Sequence, residues 1–242
     1  MNETPASLSK IALPPLLVGI LQWTITLLFP VILALLSVRL VMTPLFLQLV
    51  YNRSGFPEDY YGLTTAERLE YAPLALEYLL NGEDITFLGD LQFPDGSPMY
   101  NPSELRHMQD VKIVTQSAFL FAVIAGSAAL ITGLVLFKTA PRQLRQALFN
   151  GSLLTLTIIA AIVIVAIFNW NTFFTTFHQL FFESGTWRFA YSDTLIRLFP
   201  EEFWFEAALT IGALTVIEAV VILALVWRWQ PNVTFDRTRH DR

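Results

Sequence analysis

Long uncharged runs alternate with polar segments along this chain. Residues 16–36, 113–137 and 147–170 carry no charged side chain, and 207–227 carries only Glu218. A helix rises about 1.5 Å per residue and the hydrocarbon core of a bilayer is about 30 Å thick, so roughly 20 apolar residues suffice to cross it. Lipid offers no partner to open backbone N–H and C=O groups, so each run is expected to cross as a helix. The first apolar region continues past Arg39 to Tyr51, with Pro30 and Pro44 inside it. Residues 41–51 are too few for a second crossing, so the region reads as one kinked span followed by an interfacial piece. The pattern predicts an all-α membrane protein. A single four-helix transmembrane domain covers 1–242, with extracytoplasmic loops at 52–112 and 171–204.

Composition sharpens this picture. The chain is 54% hydrophobic and 14% charged, against about 25% charged in an ordinary soluble domain. A net charge of −5 supplies no basic field for nucleic acid. There is no cysteine, which excludes disulfides, a thiol nucleophile and thiolate zinc sites. A cleaved signal peptide is not expected, because the apolar region is too long and no small-x-small cleavage site precedes its end.

Charge sets the orientation. The short connection between the second and third spans holds Lys138, Arg142 and Arg145 and no acid, and the carboxyl-terminal tail holds Arg228, Arg237, Arg239 and Arg242. Basic flanks stay cytoplasmic, so both termini are expected inside and both longer loops outside. The first of these loops, 52–112, carries eleven acids against four bases.

That loop has its own pattern. Thr64-Thr65-Ala66-Glu67 reads as a capping box opening a helix with Leu69, Ala72, Leu76 and Leu80 at helical spacing. Residues 85–88 and 91–93, punctuated by Pro94-Asp95-Gly96, predict a small β-hairpin. Asn101 then caps another helix with Pro102 in its first turn. Nothing breaks that helix before the second span, so His107 should stand just above the membrane, with Glu104 and Asp110 on neighbouring turns. In the second loop, Phe174, His178 and Phe182 share one helical stripe at the depth of lipid headgroups.

Histidine titrates nearest neutrality and suits proton transfer. His107 and His178 lie in different loops on one side of the membrane; each taken alone also reads as a packed loop residue or part of an aromatic belt. His240 reads as a solvated tail residue. No G-x-S-x-G elbow, H-E-x-x-H, P-loop or G-x-G-x-x-G occurs, so a serine lipase, a zinc site and a nucleotide cofactor lack support. His178 and Glu183 make only a near miss to the H-x-x-x-x-D of glycerolipid acyltransferases. Glu218 reads as a buried carboxyl hydrogen-bonded to the first span, with Gln22, Thr24 and Thr26 as partners. Ala122 and Gly126 suggest a close helix contact.

Two segments carry a resemblance. Glu104-Leu105-Arg106-His107-Met108-Gln109-Asp110-Val111-Lys112, directly before a span, is similar to one signature of a family of bacterial four-span membrane proteins. Phe177-His178-Gln179-Leu180-Phe181-Phe182 with Trp187, then Asp193-Thr194-Leu195-Ile196 and Leu198-Phe199-Pro200-Glu201, is similar to the other. The family includes the lipoprotein intramolecular transacylase, and the resemblance runs over nearly the whole chain. The turn Glu183-Ser184-Gly185 departs from the family's more Asn/Asp-rich turn.

The resemblance implies a bacterial plasma-membrane enzyme working at the outer leaflet. It moves the sn-2 acyl chain of a lipoprotein's diacylglyceryl group to the amine of the amino-terminal cysteine, giving a lyso-form lipoprotein. It also implies that His107 and His178 are catalytic and that the partners are a diacylated lipoprotein amino terminus and membrane lipid. No cofactor or metal is expected, since ester-to-amide exchange is downhill. On the sequence, His107 serves as base and His178 assists the leaving oxygen or oxyanion, and these roles are interchangeable. Glu104 or Asp110 orients His107. Arg53 and Arg188 are candidate contacts to the oxyanion or headgroup, and Trp187 is a supporting residue. Two other classes remain: a hydrolase or acyltransferase acting on another interfacial lipid, and a non-enzymatic membrane binding or structural protein.

Overall fold

The computed structural model describes residues 13–183 and 185–229. Lys10, Ser184, Arg237, Arg239, His240 and Arg242 lie outside the described residues. Four long helices carry the apolar runs: α1 (Pro15–Val41), α5 (Pro102–Thr139), α6 (Pro141–Phe168) and α9 (Glu201–Arg228). Between α1 and α5 lie α2 (Pro44–Tyr51), α3 (Thr65–Leu80) and the single turn α4 (Thr86–Gly89). Between α6 and α9 lie α7 (Trp170–Phe181) and the short α8 (Thr194–Leu198).

All four long helices have the length and apolarity to cross a membrane. Their outward faces expose Ile124, Leu130, Ile164 and Val221, as lipid-facing helices do. α1 is the hub, packing against α5, α6 and α9, while α6 also packs on α9. Ile25, Phe29, Leu33, Ala147 and Ala219 fill the space between them. The closest approach is at Gly151 of α6, where an added Cβ would come within 2.9 Å of Phe29. Only glycine fits there. Gly126, the small residue expected to do this, has nothing within 4 Å of its would-be Cβ. It lines an apolar groove of about 350 Å³ with Ile25, Phe29 and Gly133 instead. That groove is remote from the loops: Gly126 follows His107 by nineteen residues on α5, about 28 Å along the axis.

Local chemistry sets the element ends. Pro30 lies within α1, and Thr43, accepting from the Phe46 N–H, starts α2 as a separate helix. The capping box of Thr64 and Glu67 is formed, and a second one joins Asn101 to Glu104. Asn169 separates α6 from α7; its side chain accepts from the Thr172 N–H, so Trp170 opens α7 rather than closing the third span. Arg145 donates to the carbonyls of Val226 and Trp229, a cation placed on the carboxyl end of α9.

The expected small β-hairpin is absent. Asp84 accepts from the Thr86 N–H and hydroxyl, which winds 86–89 into a helical turn. Beyond it only one antiparallel bridge, Gln92 to Pro98, survives. It is flanked by one bond on each side, Phe93 N–H to the Ser97 carbonyl and Met99 N–H to the Leu91 carbonyl, and it grows no further because the Leu91 N–H turns back to Leu88 and the Met99 carbonyl accepts from Thr194.

The polar loops pack into a second core above the spans. Tyr51, Ala72, Tyr78, Leu88, Met108 and Leu198 meet there. Lys112 lies over the Tyr78 ring at 4.0 Å and donates to Asn81 and the Glu83 carbonyl, fastening α5 to the end of α3.

Glu218 is reached from α1, but not by the residues expected. Ser37 donates to its carboxylate at 3.3 Å, and the Thr215 hydroxyl lies 2.9 Å from that of Ser37. Thr24 and Thr26 bond back to carbonyls one turn earlier.

Candidate active site

His107 stands on the second turn of α5, outside the apolar run 113–137, and its side is fixed by the capping box at Asn101 and Glu104. Its ring is buried against Phe182 at 5.0 Å and Phe189 at 5.3 Å between centroids. Nδ1 is buried and has no hydrogen-bond partner among the described residues. Burial, and after it the neighbouring His178, lowers its pKa to about 4. The ring is neutral at physiological pH.

His178 comes from α7, the Phe-rich helix of the other loop. Nδ1 lies 2.8 Å from the Phe174 carbonyl one turn earlier. A carbonyl only accepts, so Nδ1 carries the proton and Nε2 keeps its lone pair. Burial lowers this imidazole below its ordinary value, and the hydrogen bond to Phe174 opposes that. Its ring packs on Phe174 at 4.1 Å and on Trp187 at 4.8 Å between centroids.

The two histidine rings approach to 6.5 Å between centroids, with 23° between their planes. They are not hydrogen-bonded to each other, so both edges can serve one reacting group. Residues 71 positions apart in sequence thus meet in an aromatic enclosure of Phe174, Phe182, Trp187 and Phe189. Gly185, at φ +92°, makes the turn that returns the chain from Phe182 to Trp187.

The supporting residues fall elsewhere. Glu104 is fully buried, but its carboxylate accepts from the backbone N–H groups of Asn101 (2.8 Å) and Leu195 (2.7 Å) and does not bond His107. Burial raises its pKa, with those hydrogen bonds opposing. Asp110 makes no ion pair or side-chain hydrogen bond to His107 among the described residues. Arg53 is paired with Glu206 at 3.0 Å on an exposed rim. Arg188 is exposed and lies over the Trp187 ring at 5.2 Å. No group of three metal-ligating side chains occurs among the described residues.

Sequence reasoning missed what clamps the loops. Arg68, 3% exposed, donates to the carbonyls of Pro57 and Arg197, and Arg197 pairs with Asp59 at 3.0 Å. The Thr194 hydroxyl donates to the Met99 carbonyl, and Tyr51 donates to the Leu198 carbonyl at 2.8 Å. The second signature holds Thr194 and Leu195, but their partners are backbone atoms, which no residue pattern marks. Phe189 was missed too; it stands alone in a loop with no periodicity.

The fold and the site define a class: a multi-pass helical membrane protein whose two loops bring a pair of neutral histidines together in an aromatic enclosure above the spans. The chain matches the lipoprotein intramolecular transacylase Lit family over residues 22–204 and belongs to that family. It is 30% identical over 199 residues to an uncharacterized protein of Aquifex aeolicus, covering 82% of this chain and 89% of that one. The membrane-integral lipoprotein intramolecular transacylase Lit of Bacillus cereus has the same fold. Its structure matches with a TM-score of 0.69 at 19% identity, covering 88% of this chain and 95% of that one. A second structure of that protein, with one histidine replaced by arginine, gives a TM-score of 0.61 at 20% identity, covering 87% and 91%.

Proposed function

We propose that this protein catalyses acyl transfer within a bacterial lipoprotein at the outer face of the plasma membrane. The α-amine of the amino-terminal cysteine attacks the sn-2 ester carbonyl of the same molecule's diacylglyceryl group. A C–N bond forms, the C–O bond to glycerol breaks, and the amine proton ends on the glycerol oxygen. The products are an N-acyl chain and a lyso-glyceryl thioether. Family membership supports this reading, and the observation that carries it is the meeting of His107 and His178. Donor and acceptor share one molecule, so orientation and proton handling are the main tasks left to the enzyme.

The geometry favours reversing the roles read from the sequence. His178 has its Nδ1 proton committed to Phe174, which leaves Nε2 as the base that takes the amine proton and carries it to the leaving oxygen. His107, neutral and held in the aromatic wall, orients the ester and hydrogen-bonds the glycerol oxygen. The basic connection between α5 and α6 supports placing the termini inside and the histidines outside.

Purified protein in bilayer nanodiscs, given a synthetic diacylglyceryl-cysteinyl peptide, tests the reaction. With a free amine the expected product is the N-acyl lyso peptide; with an acetylated amine, no product. Fatty acid released from the acetylated peptide would instead make the protein a hydrolase.

A further inference from the structure

Trp187 has an unusual position among the aromatic residues of the enclosure. It is 9% exposed, and its indole N–H is buried with no acceptor among the described residues. A buried donor without a partner is costly and uncommon in a native fold, and it calls for an explanation. The ring lies directly on His178, 4.8 Å between centroids and tilted by 35°. The other aromatic rings packed on His178 among the described residues are those of Phe174, Phe177, Phe182 and His107, so Trp187 is the indole among them. The indole N–H of Trp170 also lacks a partner, but that ring meets Phe173, Phe174 and Phe205 and no histidine.

Acyl transfer at this place creates a specific demand. As the amine adds to the ester carbon, the carbonyl π pair moves onto oxygen, and it returns when the bond to the glycerol oxygen breaks. A donor must face that oxygen while the charge is there, most of all in an apolar enclosure. His178 is engaged with the proton, and Arg188 is exposed, with its guanidinium stacked on the indole ring. We propose that Trp187 is a further catalytic residue, whose indole N–H donates a hydrogen bond to the acyl carbonyl oxygen of the substrate. The N–H stays on the indole throughout, so no proton is exchanged. Packed against the base, Trp187 also sets the distance between the proton acceptor and the oxyanion, and it pairs with an ester that slides between the rings from the lipid side.

The proposal rests on the acyl-transfer reading, and the test separates the two. Trp187 is replaced by β-(3-benzothienyl)alanine, which keeps the shape of the ring and exchanges the N–H for sulfur, and in parallel by Phe. Turnover of the diacylglyceryl-cysteinyl peptide and thermal unfolding are measured on the full chain in nanodiscs. The expected result is a fall in kcat of at least tenfold, nearer a hundredfold, with KM within a factor of two and no loss of melting temperature for the isostere. A residue that only packs would leave kcat of the isostere at the native value. That outcome, with His178→Ala inactive, overturns the donor role and leaves the transacylase reading in place. Absence of turnover by the native chain overturns both.

Discussion

The two histidines stand on supports of opposite character. His107 belongs to α5, whose first turn is double-capped and whose Glu104 carboxylate ties Asn101 to Leu195 of the other loop. Around it, Arg68, Thr194, Tyr51 and the Asp59–Arg197 pair lock α3, α8 and the loop backbones together. His178 belongs to α7, none of whose twelve residues is fully buried and which meets the rest of the site through aromatic faces. Polar bonds to the other loop hold one half of the site in place, while the polar bonds of the other half stay within and at the start of α7 and packing joins it to the rest. Directional hydrogen bonds fix a group to a few tenths of an ångström, whereas aromatic faces slide. On the proposed acyl-transfer reading, the side joined by packing is the one that can yield to the substrate's acyl chains.

Removing the histidines gives the largest effect. His178→Ala and His107→Ala are each expected to lower turnover about 10²–10⁴-fold, with the protein still present in the membrane. The comparison predicts different side effects. His178→Ala leaves thermal unfolding unchanged, because the one side-chain bond recorded for His178 stays within α7, whereas His107→Ala shifts it by altering the buried wall. His107→Gln with native turnover would contradict a role for that ring.

Glu104 separates the two supports most cleanly. Glu104→Ala removes both buried bonds and half of a capping box, for a loss of about 3 kcal/mol in stability, together with activity. Glu104→Gln retains one acceptor and should lose about half as much. Native thermal unfolding in Glu104→Ala would show that the clamp is not what fixes α5.

The pH profile follows. The substrate α-amine titrates near about 8, so activity rises with pH below that value with a slope of one. Burial lowers both histidines, and a lowered pKa keeps the base neutral further into acid. The slope should therefore steepen to two only below about 6.5, the ordinary histidine value. A slope of two already at 6.5 would mean that the base is exposed.

The smallest effects are expected far from the pair. Arg53→Ala breaks an exposed ion pair with Glu206 and should change stability by less than about 1 kcal/mol, with turnover within twofold. Glu218→Gln keeps an acceptor for Ser37 and should leave turnover unchanged. A large loss in Glu218→Gln would move part of the function into the membrane.

The spans, the two capping boxes and the α5 placement of His107 were legible because period and cap chemistry are local properties of sequence. The His178 stripe with Phe174 and Phe182 was legible for the same reason. The meeting of the histidines was not legible, since nothing in either loop specifies its partner. What escaped is what depends on backbone. Phe174 matters through its carbonyl and Leu195 through its N–H, and Glu104 turned from His107 to those amides. The hairpin failed because Asp84 winds 86–89 into a turn and the Leu91 N–H and Met99 carbonyl bond elsewhere, which so short an apolar alternation does not override. Ser37 was passed over for Glu218 because the register between α1 and α9 is set by apolar packing that includes Leu33 and Ala219, which leaves no polar mark in the sequence.

The most direct test is mass spectrometry of the amino-terminal peptide of a reporter lipoprotein in a bacterium lacking such an activity. The chain is expressed there in native form and as the His107→Ala, His178→Ala double variant. The account predicts an N-acyl, monoacylglyceryl cysteine with the native chain and an unchanged diacylglyceryl cysteine with the double variant. A diacylglyceryl peptide left unchanged by native protein verified in the membrane, or the same N-acyl product from both, would contradict it.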